Sequence, residues 1–408
     1  MQPLLGLLIK RNRLAQNLSQ ESLCKGICVV SYLSKIETGQ VVPSPEIIDQ
    51  LFRALGLAFE RDEAFLSAYR SLLKDFFDRF FHQEPAEAIQ EELVQAGARL
   101  ENSELCLAYQ LFLLYRCLLR KEPDKALSLF QSLAPLRQLM GPEDAFLYEM
   151  AHSATASSFE EKREALYRAQ GLRMSPAVSL ALAQLHYEAG RYQEALLYCA
   201  QGYQLSAQEG NVYAMRELSF LEGTCYANLF EHQLMLDSYL RCRELARGDA
   251  ELVLHIEYNI GASFLEMGRH EEALSYLLRV WEAWGDSPES FLLLHKLAIA
   301  YEQLGRKETG RPYLDKALDI ARHGSDPVSQ AMIRVVQLRY DSDHRQGEEY
   351  LLLLEDLIRQ LESQRPHGFR QFHLPFLLEA YTDRRRYKEA LTLAREMPPQ
   401  LRFHFPKR

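Results

Sequence analysis

Three stretches of the chain repeat one helical-hairpin pattern, and this repetition restricts the possible folds. They are LALAQLHYEAGRYQEALLYCAQGY (180–203), YNIGASFLEMGRHEEALSYLLRVW (258–281) and HKLAIAYEQLGRKETGRPYLDKAL (295–318). Each contains a small residue, an aromatic residue or histidine three positions later, and then a glycine that ends the first helix. The small residue lets the paired helix approach closely, and glycine adopts the left-handed conformation of the turn. The sequence therefore predicts stacked helical hairpins.

The pattern recurs along most of the chain. Gly268 and Gly305 are 37 residues apart, and Gly190 precedes Gly268 by 78 residues, which is twice 39. Weaker copies fit the segments 106–136, 143–171, 221–240, 327–361 and 376–394. We therefore expect about eight or nine hairpins between Phe65 and Met397. Because strand signals are nearly absent, the predicted fold class is all-α, with a non-repeating helical bundle as the alternative.

The hairpin pattern resembles the tetratricopeptide repeat, whose usual period is about 34 residues. The resemblance implies a right-handed superhelix whose first helices line a concave groove for peptides or partner helices. Amide side chains there pair with a peptide backbone, and acidic ones favour a basic or amino-terminal group. The repeat phase gives ten candidate peptide-binding residues: Gln184, Thr224, Asn228, His255, Tyr258, Asn259, Glu266, His295, Glu302 and Gln303.

The first sixty residues follow a different pattern, that of four or five short helices. Ser19 is a predicted helix cap, and a third helix is expected over about Val30–Glu37, ending at Gly39. Two short helices joined by a tight turn are what a helix-turn-helix requires. Residues 1–40 carry a net charge of +3, whereas the whole chain carries -9. Contact with nucleic acid is therefore expected only at the N-terminus.

The segments LSQE (18–21) and LSKIE (33–37), followed by Gly39 and Pro43, resemble the Cro/phage-repressor (XRE) DNA-binding family. The resemblance implies a buried structural pair between Arg13 and Glu37. The residues that it assigns to DNA are Gln20, Val30, Ser31, Tyr32, Lys35 and Lys10, the two lysines meeting phosphates. Val29 is expected in the core. The alternative is a helix-turn-helix that serves protein contacts alone.

The turn at 25–28 is one residue shorter than the usual XRE turn. The segments LCKGIC (23–28) and SYLSKIE (31–37) are similar to the Rgg/PlcR-type (RNPP) regulators of Gram-positive bacteria, which join such a domain to tetratricopeptide-like repeats. The resemblance implies a homodimeric transcription regulator that binds double-stranded DNA and a short quorum-sensing peptide. We therefore expect a five-helix helix-turn-helix domain over 1–62 and a repeat domain for ligand binding and dimerisation over 63–408.

Two other functions fit the repeats. One is an adaptor whose repeats bind a partner protein instead of a free peptide, and the other is a repeat-based phosphatase or sequestering protein. The strong helix-turn-helix signature argues against the latter. A neighbouring gene for a short exported peptide would favour the regulator over the adaptor.

Other chemistry has little support in the sequence. Cys24 and Cys28 lack the further ligands that a zinc site needs, so neither a metal site nor a cofactor is expected. No nucleophile, base and orienting acid can be assembled, and therefore we expect no enzyme. No apolar run approaches the ~18–20 residues of a membrane span, and the N-terminus does not read as a signal peptide. The expected location is the cytoplasm, without membrane contact.

Overall fold

The chain folds into helices throughout the part that the computed structural model describes, residues 2–341, 347–364 and 367–397. These ranges contain 23 α-helices, two short 3₁₀ helices and no strand. The all-α prediction is therefore confirmed. The helices form two compact units, residues 1–185 with 204–214 and residues 186–203 with 215–408.

The first unit begins with the four helices of the helix-turn-helix region and the helix that follows them. They are α1 (Gln2–Ala15), α2 (Gln20–Cys24), α3 (Val30–Glu37), α4 (Pro45–Ala54) and α5 (Glu63–His82). Ser19 caps α2 as predicted, because its hydroxyl accepts a hydrogen bond from the Ser22 backbone N–H at 3.0 Å. The predicted bounds of the third helix are confirmed, and Gly39 follows it with a φ of 71°. Four helices lie within residues 1–62, and the fifth begins directly after them.

Close packing of α1 on α3 holds this region together. A Cβ atom added to Gly6 would lie 1.9 Å from the backbone oxygen of Ile36, so only glycine fits at this crossing. Leu8, Leu33 and Phe52 are fully buried around it. Burying such side chains contributes about 1.5–3 kcal/mol each relative to leaving them exposed. These apolar side chains therefore form the packed centre of the helix-turn-helix region.

Pairs of consecutive helices make up the rest of the described chain. Beginning with α5 and α6, nine such pairs are present, and α7 lies between the first and the second pair. The helices are α6 (Glu87–Gln95), α7 (Gly97–Glu101), α8 (Cys106–Leu119), α9 (Pro123–Leu133), α10 (Pro142–Thr155), α11 (Phe159–Leu172), α12 (Pro176–Glu188), α13 (Tyr192–Glu209), α14 (Val212–Asn228), α15 (His232–Leu245), α16 (Ala250–Glu266), α17 (His270–Trp284), α18 (Phe291–Gln303), α19 (Lys307–His323), α20 (Pro327–Tyr340), α21 (Glu348–Gln364), α22 (His367–Asp383) and α23 (Tyr387–Glu396).

The turns within the pairs have the conformation that the glycines predict. Gly190, Gly268 and Gly305 each have a φ of 71°. In two weaker copies the same turn is made by a residue with a side chain, Lys121 with a φ of 55° and Phe230 with a φ of 59°. A left-handed conformation is less favourable for such residues. The backbone turn is therefore kept even where the sequence signal is lost.

The paired helices touch at the small residues. A Cβ atom added to Gly261 of α16 would lie 2.8 Å from Cγ of Leu277 on α17. Ala183 and Ala298, which hold the same place in the other two copies, are fully buried. Phe264 fills the space beside Gly261 and is also buried. The predicted role of the small residue is therefore confirmed in the best-matching hairpins.

A buried ion pair joins several helices of the second unit. The guanidinium of Arg339 on α20 is 1% exposed and forms salt bridges of 2.9 Å with Glu302 of α18 and with Glu379 of α22. The same side chain donates a hydrogen bond to the Tyr350 hydroxyl at 3.0 Å. A buried cation needs such partners, because an unpaired one is strongly destabilising. This cluster fixes α18, α20, α21 and α22 against one another.

Replacing Gly261 with leucine should destabilise the second unit by about 1–3 kcal/mol, the usual cost of overpacking a core. The matched control is Gly171→Leu, because Gly171 lies in a helix with no atom within 4 Å of a built Cβ. Leucine forms helices better than glycine by about 0.8–1 kcal/mol, so this control should be neutral or stabilising. Urea unfolding followed by circular dichroism measures both effects. Equal stability of the two variants would contradict the close approach.

Candidate functional site

The outward side of α3 carries most of the residues that were assigned to DNA. Val30, Ser31 and Lys35 are exposed, and Tyr32 is partly exposed. Ser31 and Lys35 lie one turn apart on the same side of the helix. Lys10 is exposed on α1. This helix therefore offers a free face with one cation, of the size that fits a DNA groove.

Val29 departs from its expected place in the core. Its side chain is 67% exposed. The residue is the N-cap of α3, with an extended backbone at a φ of -81° and a ψ of 150°. Because it lies before the helix, the helical phase that buries Leu33 and Ile36 does not apply to it. The prediction for Val29 was wrong, and the exposed face begins one residue earlier than expected.

A buried ion pair holds α3 against α1. The Arg13 guanidinium donates to the two carboxylate oxygens of Glu37 at 2.6 Å and 2.8 Å, and to the backbone oxygen of Leu18 at 2.7 Å. Gln20 donates to the same carboxylate at 2.8 Å. Burial raises the pKa of Glu37, but the hydrogen bonds from Arg13 and Gln20 outweigh it, so the net shift is downward. The pair therefore holds the end of α3 against the end of α1.

Polar contacts connect this domain to the helix that follows α6. Arg11 donates to the backbone oxygen of Glu101 at 3.0 Å, and the Asn12 amide donates to that of Asn102 at 2.9 Å. Arg99 forms a salt bridge with Glu60. These contacts lie within the first unit and are only partly buried. They attach the helix-turn-helix to α7 and to the residue that follows it.

The second unit contains a cavity of about 780 Å³. Its wall is formed by the ends or faces of helices α12, α14, α16, α18 and α22, among others. Six of the ten predicted peptide-binding residues line it: Thr224, Asn228, Tyr258, Asn259, Glu266 and His295. The repeat phase therefore brought together most of the residues that share this cavity.

The other four predicted residues lie elsewhere. Gln184 is exposed outside the cavity wall. The His255 ring lies beside that of Trp284, with centroids 5.1 Å apart and planes tilted by 60°. Glu302 is buried in the ion pair with Arg339, so it is occupied by the fold. Gln303 lines a smaller cavity of about 80 Å³. The helical phase predicts on which face of a helix a residue lies, but it does not predict how deeply the residue is buried or which residues it contacts.

Several cavity residues were missed from the sequence. They include Tyr187 and Tyr192 at the α12–α13 turn, Lys296 on α18, and Phe372 with His373 on α22. The two tyrosines lie within three residues of Gly190. The glycine that marks the turn was therefore the sequence signal that could have identified them. No repeat signal identifies Phe372 or His373, because α22 belongs to a weak copy. Lys296 follows His295 directly and was overlooked because one residue changes the side of the helix by about 100°.

The cavity combines two asparagine amides with titratable groups whose pKa values are shifted. The Asn228 amide donates to the backbone oxygen of Thr224 at 2.8 Å, whereas the Asn259 amide has no partner in the described part of the chain. Burial raises the pKa of Glu266 to about 7, against the effect of Lys296. Burial also lowers the pKa of Lys296, which Glu266 opposes. Such a site can take a polar ligand that supplies hydrogen bonds and charge.

Two segments of the chain match known families. Residues 9–61 match the helix-turn-helix family, and residues 252–323 match the tetratricopeptide repeat. The chain therefore joins an XRE-type helix-turn-helix to tetratricopeptide repeats in the predicted order. None of the helices in the described ranges is long and apolar enough to cross a membrane.

Similar proteins have related architecture. The chain is 25% identical to the transcriptional activator NprA of Geobacillus stearothermophilus, over 62% of this chain and 66% of that protein's length. The quorum sensor NprR from B. thuringiensis in its apo form matches with a TM-score of 0.61 and 14% identity, covering 81% of this chain and 97% of that one.

Two complexes have the same fold. NprR with its cognate peptide NprX has a TM-score of 0.55 and 14% identity, covering 80% of this chain and 97% of that one. A Rap protein complexed with the competence and sporulation factor has a TM-score of 0.60 and 16% identity, covering 82% and 98%. The recognition of an RNPP-like fold from the sequence is confirmed.

Replacing Glu37 with glutamine should destabilise the helix-turn-helix by about 3–5 kcal/mol, because it leaves Arg13 buried without its anion. Hydrogen exchange of residues 1–62 measures this change. Asp49→Asn is the control, since Asp49 pairs with Arg61 at an exposed site and should contribute at most about 1 kcal/mol.

The same pair predicts a pH dependence. Because folding lowers the pKa of Glu37, its stabilisation is present at neutral pH and is lost as the pH falls through the folded-state pKa, below the ordinary value of 4.5. The Glu37→Gln variant should lack this acid-dependent loss. Identical acid profiles in the wild type and the variant would refute the assignment.

Proposed function

We propose that this protein is a sequence-specific DNA-binding transcription regulator, controlled by a short signalling peptide in the cavity of its repeat domain. The observation that carries the proposal is the presence in one chain of an exposed α3 face and a polar cavity in the repeats. The name of the relative NprA, a transcriptional activator, supports the first half. The complex of NprR with a cognate peptide supports the second.

Charge and geometry favour DNA at the N-terminus. Residues 1–40 are net positive in a chain of net charge -9, so the body is repelled from the duplex and limits non-specific binding. Ser31 and Lys35 are proposed to contact DNA with Val30, Tyr32 and Gln20, whereas Arg13 and Glu37 hold the face. In this proposal Gln20 acts through an amide already bonded to Glu37.

The cavity favours a short peptide over a folded partner. Its volume of about 780 Å³ is within the range of about 300–1,000 Å³ that is typical of small-ligand sites. A stable protein partner instead needs about 800 Å² of surface on each side. The Asn228 and Asn259 amides are suited to pair with a peptide backbone. These points support the regulator over an adaptor that binds a partner protein.

The proposed regulator acts in the cytoplasm as a homodimer. A dimer reads two half-sites about one DNA turn apart, which doubles the readout of a small domain. The domain division at residue 62, with dimerisation assigned to the repeats, belongs to this proposal. A peptide changes DNA binding only if it binds one arrangement of the dimer more tightly than another.

The double variant Ser31→Ala, Lys35→Ala should bind specific DNA about tenfold or more weakly. The slope of log affinity against log salt concentration should fall by about one, because one phosphate contact is lost. The probe is a DNA fragment selected from a random pool with the wild-type protein, and fluorescence anisotropy at several salt concentrations gives the affinity. Lys125→Ala is the control, because Lys125 is exposed on α9 outside the helix-turn-helix. Unchanged binding by the double variant would overturn the docking face.

Replacing Asn259 with alanine should weaken peptide binding by about 1–3 kcal/mol, the cost of a lost hydrogen bond to a buried group. The probes are peptides selected on the wild-type protein from a synthetic random library, and calorimetry gives the affinities. Gln184→Ala is the control, because Gln184 came from the same repeat phase but lies outside the cavity. Equal losses in both variants would place the peptide elsewhere on the repeats.

A further inference from the structure

Two side chains of opposite charge line the cavity without a salt bridge between them. Glu266 is the last residue of α16, and Lys296 lies in the first half of α18. Each shifts the pKa of the other, so their charges interact. In the ranges that the structure describes, neither side chain has a hydrogen bond or an ion pair. Both are partly exposed, toward the cavity.

Lys296 differs from Arg339 in the partners that surround its charge. Both cations lie in the same unit, but Arg339 has two carboxylates and a hydroxyl as partners. The Nζ atom of Lys296 instead lies 4.1 Å from the centroid of the Phe372 ring. A cation over an aromatic ring gains about 0.5–2 kcal/mol, whereas an ammonium that is partly removed from water loses part of its hydration. The fold therefore leaves this charge incompletely compensated.

His295 has unused hydrogen-bonding capacity at the same place. Its side chain is 1% exposed and lines the cavity, and neither ring nitrogen has a partner within the described residues. Burial, together with His373 and Lys296, lowers its pKa well below the ordinary value, so the ring is neutral. A neutral imidazole has one N–H donor and one acceptor nitrogen. Buried polar groups of this kind normally have partners.

We infer that Lys296 and His295 bind a carboxylate of the ligand, against the ring of Phe372. The ammonium supplies the charge and the imidazole N–H supplies a directed hydrogen bond, a combination that is stronger than two neutral donors. Phe372 keeps water from one side of the ammonium. This inference rests on the proposed peptide-binding function and specifies one chemical group of the ligand. The carboxylate is either the C-terminus of a peptide or an aspartate or glutamate side chain.

Glu266 sets the pH range of this site. Tyr239 of α15, Tyr258 of its own helix and Lys296 of α18 interact electrostatically with it. His295 of α18 and His373 of α22 line the same cavity, and His270 of α17 lines the smaller cavity that Glu266 also borders. Burial raises the pKa of Glu266 to about 7. The protonated form leaves the ammonium to the ligand, whereas the ionised form repels a second carboxylate. Affinity for a carboxylate should therefore fall as the pH rises through about 7.

Three small probes test the inference without knowledge of the natural peptide. N-acetyl-leucine carries a C-terminal carboxylate, N-acetyl-aspartic acid α-amide carries one on its side chain, and N-acetyl-leucinamide carries none. Calorimetry on the full chain at pH below 7 should show at least one acid binding about tenfold more tightly than the neutral amide, which corresponds to about 1.4 kcal/mol. The tighter of the two acids identifies the source of the carboxylate.

Matched variants assign the effect to the two side chains. Lys296→Met and His295→Phe should each reduce the affinity for the acid to that of the amide, with the amide unaffected. Lys316→Met is the control, since it also removes one positive charge, from a residue outside the cavity that pairs with Asp286. Glu266→Gln should remove the fall in affinity above neutral pH. Melting curves of each variant confirm that it is folded.

The inference is refuted if the two acids and the amide bind equally, if no acid saturates the protein at tens of millimolar, or if Lys296→Met retains the preference. These outcomes are separate from failure of the proposed function. Library peptides that bind the wild type with equal affinity as C-terminal acids, amides and asparagine analogues would preserve peptide sensing and remove the carboxylate site. If the small acids bind as expected but no library peptide binds, the carboxylate site is supported and the proposed peptide ligand is refuted.

Discussion

The rest of the structure depends on how closely the two helices of each hairpin approach. Gly261 lies against Leu277 with no room for a Cβ atom, and buried alanines at 183 and 298 hold the same place in the other clear copies. Close approach fixes the rotation of each helix about its axis, because the residues beside the contact must then face their neighbours. The same rotation determines which way the side chains point one or two helical turns from the contact. The cavity wall is a consequence of this packing, since its residues come from helices whose rotation is already set.

The same repeats handle buried charge in two ways, and the difference separates stability from ligand binding. Arg339 is surrounded by Glu302, Glu379 and Tyr350, so its burial is compensated within the fold. The Nζ atom of Lys296 lies 4.1 Å from the centroid of the Phe372 ring, and this side chain has no such partners among the described residues. A structural cation is expected to be satisfied before any ligand arrives, because an unpaired one costs several kcal/mol. An unsatisfied cation beside a cavity is therefore the basis for our proposal that its partner comes from the ligand.

The sequence predicts the fold well and the site in part, for physical reasons. Turn glycines and capping residues act locally, so the bounds of α3 and the turns at Gly190, Gly268 and Gly305 follow from a few neighbouring residues. Helical phase also places Asn228, Asn259 and Glu266 on one side of their helices. It does not give the depth of a residue in the wall, and so Glu302 was assigned to a ligand although the fold uses it. Phe372 and His373 reach the cavity from a weak repeat, and their contribution depends on long-range stacking that no local pattern records.

Partly buried polar contacts join the helix-turn-helix to the segment at α7. Arg11 and Asn12 reach α7 through partly buried hydrogen bonds to Glu101 and Asn102, and bonds of this kind contribute about 0.5–1.5 kcal/mol each. The internal pair of Arg13 and Glu37 is buried and costs more to break. The polar contacts to the segment at α7 can therefore break while α3 and its exposed face stay intact.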